Sequence, residues 1–301
     1  MNSFSQKGLR FTFQLEDGET FANGASSLVI DKLWASLNAN AIVGSMPKVE
    51  LEIFGVKGSN MDSLTALQTL LPTYKRIGKN QVIVEANNDI SNPGGWAQVF
   101  GGIITNAYPD FSSAPNVKFH ISAATAYLDQ IKPLHPACIN GNASLVQTAQ
   151  SIISRFSAPF RLINLLPTGD IIIPNKLTLK AGSGNYQLSQ LGLRTGTMFT
   201  TENSNIFLTD KGYNWKNAEA WSISAANGML DYPSYTSYGL IVKALFDPNR
   251  FSLFKQINVS SVLKYANGLW TPYRVDHTLS THADSPKWES RFICLDNKAS
   301  P

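Results

Sequence analysis

The stretch ALFDPNRFSLFKQINVSSVL, residues 244–263, with NGLWTPYRVDHTLSTHADSPKWESRFICL, residues 267–295, decides the fold. An apolar run ends at Asp247-Pro248, a short connector follows, and residues 256–259 read as a strand. Asn267-Gly268 is turn chemistry. It opens a hairpin whose arms, residues 270–277 and 288–295, are joined by a polar loop. Trp288, Ser290 and Phe292 alternate onto one face, which predicts core. The pattern is that of a β-barrel closing on itself.

Upstream, Leu9, Phe11, Phe13 and Leu15 alternate with Arg10, Thr12, Gln14 and Glu16, the period of a half-buried antiparallel strand. Val49, Leu51 and Ile53 repeat it against Glu50 and Glu52. Met61, Leu64, Leu67 and Leu71 stand at helical spacing, with Pro72 just past them. Val82, Val84 and Ala86 form another strand, and residues 96–123 read as two strands joined by a proline-bearing loop. Gly101 and Gly102 inside a strand predict a bulge or a close backbone approach. Residues 1–125 therefore make a β-barrel domain with one embedded helix.

Between residues 126 and 218 the texture changes. Leu145, Ala149, Ile152, Ile153 and Phe156 share one helical face, with Asn142 as a candidate N-cap. Strands at 160–165 and 171–173 follow, then a second helix over 186–193 stopped by Gly196. Residues 198–200 and 206–208 pair across a turn. Residues 219–301 return to the barrel pattern. The expected fold is α+β and mainly β: two β-barrel domains flanking a small α/β insert.

Charged residues are 15% of the 301, low against the usual quarter, which suits a chain that buries much of its surface against partners. Net charge is +4, and Lys75, Arg76 and Lys79 make the only local basic cluster. Stable nucleic-acid binding asks for a more concentrated footprint. Cys138 and Cys294 read as two buried thiols rather than a disulfide framework. The start, MNSFSQKGLR, lacks an apolar leader, and no window reaches the length of a spanning helix, so synthesis in a cytoplasm with no membrane span is expected.

Candidate chemistry is thin. Asp276, His277, His282 and Asp284 could ligate a metal, but their spacing is loose, and a turn-rich loop with His277 hydrogen-bonded inside the barrel is the simpler reading. Cys138 has no nucleophile signature near His135. Asp231, Asp247 and Asp284 could pair as glycosidase carboxylates, yet acids at turns are commonplace. Trp34, Trp96, Trp215, Trp221, Trp270 and Trp288 are dispersed and read as core or interface. No catalytic residue, metal or cofactor is expected.

The terminal hairpin resembles that of the phage tail and baseplate central hub family, a late-control type related to the hub part of contractile injection system spike proteins. The matching residues are Asp247 and Pro248, then Gly268, Tyr273, Val275, His277, Asp284, Trp288, Ser290, Phe292 and Cys294. Phe100, Gly101 and Gly102 match a second motif of that family. The resemblance implies a structural virion component of the tail baseplate or tip rather than an enzyme. It implies a homotrimeric ring adapting a sixfold tail tube to a threefold spike or fibre. Its partners would be itself, the tube protein, the spike or tail-tip protein and other baseplate proteins, with tape measure and DNA passing transiently through the channel. The alternatives are the equivalent hub of a non-infectious contractile injection system, a tail carbohydrate-binding adhesin whose exposed aromatics converge on a groove, and a hydrolase.

Overall fold

The computed structural model describes residues 6–65, 80–112, 114–139, 141–174, 176–211, 220–237, 239–248, 252–281 and 286–295. In chain order the elements begin with β1 (Gly8–Gln14), β2 (Ser27–Asp31), β3 (Ala35–Ile42), β4 (Lys48–Phe54), α1 (Gly58–Leu64), β5 (Gln81–Asn87), β6 (Ala97–Asp110) and β7 (Lys118–Ala124). The middle holds α2 (Tyr127–Ile131), β8 (Pro133–Leu134), β9 (Ala137–Ile139), β10 (Ala143–Ser144), α3 (Leu145–Ile153), β11 (Arg161–Asn164), β12 (Ile172–Ile173), β13 (Leu177–Leu179), β14 (Gly182–Ser183), α4 (Gly184–Thr195), β15 (Thr197–Glu202) and β16 (Asn205–Asp210). The chain finishes with β17 (Ala220–Ser224), β18 (Ser234–Thr236), β19 (Gly239–Leu245), β20 (Gln256–Ser260), β21 (Gly268–Ser280) and β22 (Trp288–Leu295).

The alternating apolar residues decide which side of each strand faces in. Leu9, Phe11, Phe13, Val49, Leu51, Ile53, Val82, Val84, Phe119 and Ile121 are all buried, as their spacing predicts. Strands β2 and β3 are the additions. In β3 the inward positions are Ala35, Leu37, Ala39 and Ala41, buried against outward Ser36, Asn38 and Asn40. Alanine is a weak strand former, so its alternation gives little signal.

Two closed barrels were expected, and the strands are joined differently. Thirteen of them form one sheet, in the order β18-β19-β22-β21-β3-β4-β7-β6-β5-β1-β2, with β17 and β20 branching off β21. Strand β21 is the cause. One of its edges pairs with β22 over residues 271–279. Its other edge is divided: residues 268–270 pair with β20, and residues 274–280 pair with β3. A single long strand thus walls two lobes, and among the described residues the ladders run through both as one sheet. The sheet still rolls far. Trp288 Nε1, at the start of β22, donates to Asn88 Oδ1, just past β5, at 2.7 Å. Among the described residues, no ladder joins those two ends.

Three cores result. The first packs Leu9, Phe11, Leu51, Val84, Phe100 and Phe119 with Phe246, Leu279 and Trp288 from the end of the chain. The second packs Leu240, Val242, Phe254, Ile257, Val275, Phe292 and Cys294 with Ala41. The third lies under α3 and α4, with Leu145, Ile152, Leu188, Leu191, Ile206 and Leu208. In that middle part, β8–β14, β9–β13 and β10–β12 are rungs of one irregular antiparallel ribbon in constant register. Each end of the ribbon runs into a helix through a serine. Ser144 Oγ accepts from Gln147 N at 3.0 Å, and Ser183 Oγ accepts from Tyr186 N at 3.2 Å. The cap of α3 is therefore Ser144, not Asn142. Helix α4 ends at Gly196, whose φ of 70° is the left-handed cap conformation. Helix α1 stops at Leu64, with Thr65 extended. Leu67, Leu71 and Pro72 lie outside the described residues, as do Lys75, Arg76, Lys79 and Trp215. Cys294 is buried, whereas Cys138 is exposed, contrary to the expectation of two buried thiols.

Gly101 and Gly102 follow a bulge. Val84 pairs with Phe100 but Glu85 with Gln98, which leaves Val99 as the extra residue and turns both Val99 and Phe100 inward. A Cβ on Gly102 would lie 2.7 Å from both the Ala124 carbonyl oxygen and Phe100 Cζ. Gly102→Ala is expected to lower stability by about 1–3 kcal/mol through overpacking against backbone. Denaturant unfolding of the two proteins measures it, and an unchanged midpoint would refute the close approach.

Candidate functional site

The first two cores meet at the middle of β21. The residues facing inward there are Val275, His277 and Leu279: Val275 belongs to the second core and Leu279 to the first. His277 stands between them, 2% exposed. Its Nδ1 lies 2.8 Å from Ser290 Oγ on β22, and its ring meets Phe246 edge-on, with centroids 5.1 Å apart. Burial pulls its pKa down to about 3, so the ring is neutral at ordinary pH. The neighbouring Asp276 faces the other way and accepts from Arg274 Nε at 2.9 Å. Asp276 and His277 thus do not converge on a metal, and His282 and Asp284 lie outside the described residues. Asp231 is bridged to Lys243 at 3.1 Å.

The insert reaches the same point. Its β15–β16 hairpin turns at Asn203 and Ser204, and Asn203 with Glu202, the last residue of β15, lines a cavity of about 10 Å³ with Ala39, Val99, Phe100 and His277. That is about the space of one water. Glu202 is the anchor. Its carboxylate accepts from Leu253 N at 2.7 Å and from Ser252 Oγ at 3.0 Å. Burial outweighs these bonds and pushes its pKa up to about 6. Beside it, Phe207 stacks on Phe254 with centroids 4.1 Å apart. On the other flank Thr200 Oγ1 accepts from Gly44 N at 2.7 Å. Sequence reading passed over Glu202. The available signal was an acid standing beside the turn of a hairpin in a sparsely charged chain.

The motif residues fall into three groups. Phe100, Gly101 and Gly102 form the bulged stretch beside the cavity. Val275, His277, Trp288 and Phe292 are buried along β21 and β22. Gly268, Tyr273, Asp247 and Pro248 shape the ends of the hairpin. Gly268 opens β21 with φ 124°, and Tyr273 is the extra residue of a bulge between Pro272 and Arg274. Pro248 is buried just after Phe246.

A family profile described as Baseplate hub gp41 matches residues 9–289, nearly the whole chain. The chain belongs to the baseplate hub gp41 family. It is a structural protein of the phage tail baseplate, and a virion component. Solved structures share the hub's fold at low identity. The prophage MuSo2 43 kDa tail protein from Shewanella oneidensis is 10% identical, with a TM-score of 0.61 over 96% of this chain and 97% of that one. The E. coli c3393 protein, a component of the type VI secretion system, is also 10% identical, with a TM-score of 0.59 over 87% and 73%. A chain of the Francisella PdpA-VgrG complex gives 0.60 at 9% identity, with the hub spanning about half of it, 54%. No relative is found among curated protein sequences. Among the described residues, no helix is long and apolar enough to cross a membrane.

Two buried titrating groups at this junction, His277 and Glu202, act on stability with opposite signs. His277 stays neutral when folded, so the unfolded chain takes up the proton first, and stability falls as pH drops from 6.5 toward 3. Glu202 is easier to protonate when folded, so its contribution to stability rises as pH drops from about 6 to 4.5. Glu202→Gln removes the second effect and leaves the first. From pH 6.5 to 4.5 the variant is expected to lose about 1.5 kcal/mol more than the parent does, since the unfolded carboxyl is itself half protonated at the lower pH. Denaturant titrations at the two pH values test this, and parallel losses would remove Glu202 from the account.

Proposed function

We propose that three copies of this hub close into a ring that joins a sixfold tail tube to a threefold spike or fibre. The supporting observation is the shared strand β21, which puts two sheet-walled lobes in one chain. Three chains then present six lobes to one side while keeping threefold symmetry on the other. The contacts in such a ring are heterologous, head to tail, and close by rotation. Open edges are available for them: among the described residues β2 pairs only with β1, β18 only with β19 and β17 only with β20. Unpaired edges invite strand addition.

The proposal includes the division into residues 1–125, 126–218 and 219–301, which the three separate cores support. The last segment also lends Phe246, Leu279 and Trp288 to the first core. The motif residues from Phe100 to Phe292 act as packing positions that hold the lobes at a fixed angle. The ring encloses the channel for tape measure and DNA, contacts tube, spike and neighbouring baseplate proteins, and uses no cofactor and no catalysis. Synthesis is in the host cytoplasm. Likeness of fold to the type VI secretion component supports the same ring in a contractile injection system.

Light scattering of the purified hub, alone and mixed with the spike protein encoded beside it, decides the stoichiometry. A mass of three hubs, or of three hubs with three spike chains, is expected. A persistent monomer in both samples would overturn the ring.

A further inference from the structure

Three tryptophans far apart in sequence meet at one groove. Its volume is about 550 Å³, within the usual range of ligand sites. Its walls are the start of β1, the end of β2, the loop after β5, the end of β21 and the start of β22, ends of the rolled sheet that no ladder joins among the described residues. Arg10 sits over the Trp96 ring at 4.0 Å, and Lys7 lies 5.5 Å from the Trp288 ring. Each cation is therefore held in place on an indole. Gly8 makes room for this: a Cβ there would lie 2.9 Å from Trp96 and 2.5 Å from Ile90. Trp34 remains 53% exposed and lies on the boundary to a second hollow of about 300 Å³, lined by Phe54, Met61 and Pro115.

The charges select the ligand. Among the described residues, Lys7, Arg10 and Lys32 line the groove against one lining carboxylate, Asp31, while Glu85 pairs with Arg10 at 3.5 Å. The surplus is positive and fits an anion. Trp34 offers a flat apolar face with a polar edge, on which a ring can stack. Two hollows sharing that indole suit a ligand of several units. The groove crosses strand ends rather than following a free strand edge, so an extended peptide finds no row of backbone groups to pair with. We propose that this groove binds an acidic oligosaccharide, its carboxylates held by Lys7 and Arg10 and one ring stacked on Trp34. The site is independent of the ring and stands whether or not three copies close.

The full-length hub is titrated with a galacturonic acid tetramer, a neutral galactose tetramer and an acidic peptide, with tryptophan fluorescence as the readout. Saturable binding of the acidic sugar is expected, at least about tenfold tighter than of the neutral one, and weakening with salt. Trp34→Ala should weaken it about tenfold with the melting temperature unchanged, because that ring is exposed. Lys7→Gln, a second variant that spares the aromatic faces, should bring the affinity for the acidic sugar toward that for the neutral one. No saturation by the acidic sugar, equal binding of both sugars, or full affinity in Trp34→Ala overturns the proposal. Tighter binding of the peptide also overturns it and assigns the groove to a protein partner.

Discussion

The structure depends on the division of one edge of β21 between two neighbours. A strand usually offers each edge to one partner. Here thirteen residues are long enough to serve β20 first and β3 afterwards, with β22 running beside much of the other edge. The bulge at Tyr273 falls where the strand passes from one lobe to the other. There Val43 N donates to the Tyr273 carbonyl at 2.9 Å. Bulges bend a strand and sharpen its twist. The first core therefore borrows residues that lie more than a hundred positions downstream of its own strands, and the second core borrows Ala41 in return.

That sharing explains why the junction is buried and why polar groups occur there at all. His277 and Ser290 face each other across β21 and β22, both nearly inaccessible. Glu202 brings a carboxylate into the same region and satisfies it with one backbone and one hydroxyl donor. Buried polar groups with defined partners fix a geometry, because any other docking leaves them unpaired. The insert thus has one seating, set by Glu202, Thr200 and the Phe207–Phe254 stack.

Much of this was legible in the sequence wherever side chains alternate by size and polarity. Leu9 to Leu15, the β4 triad and the terminal hairpin announced themselves, and the hub resemblance rested on that hairpin and on Phe100, Gly101 and Gly102. Strand β3 did not, because its inward positions are mostly alanines and its outward ones mostly asparagines. How the strands join around each lobe could not be read from that alternation. Periodicity reports which face of a strand is buried and is silent on how many neighbours share its edge. The groove was equally hidden. Trp34, Trp96 and Trp288 meet only because the sheet rolls, and nothing local to any of them encodes that.

The long strand also has a mechanical meaning. Where two lobes meet through side chains alone, a load can slide one against the other. In this hub the two lobes are joined by unbroken main chain and by hydrogen-bond ladders lying across the direction of β21. A push delivered to one lobe loads those ladders in shear, where many bonds must yield together. The subunit behaves as a stiff strut, and displacement at one end is passed to the other instead of being absorbed at a hinge.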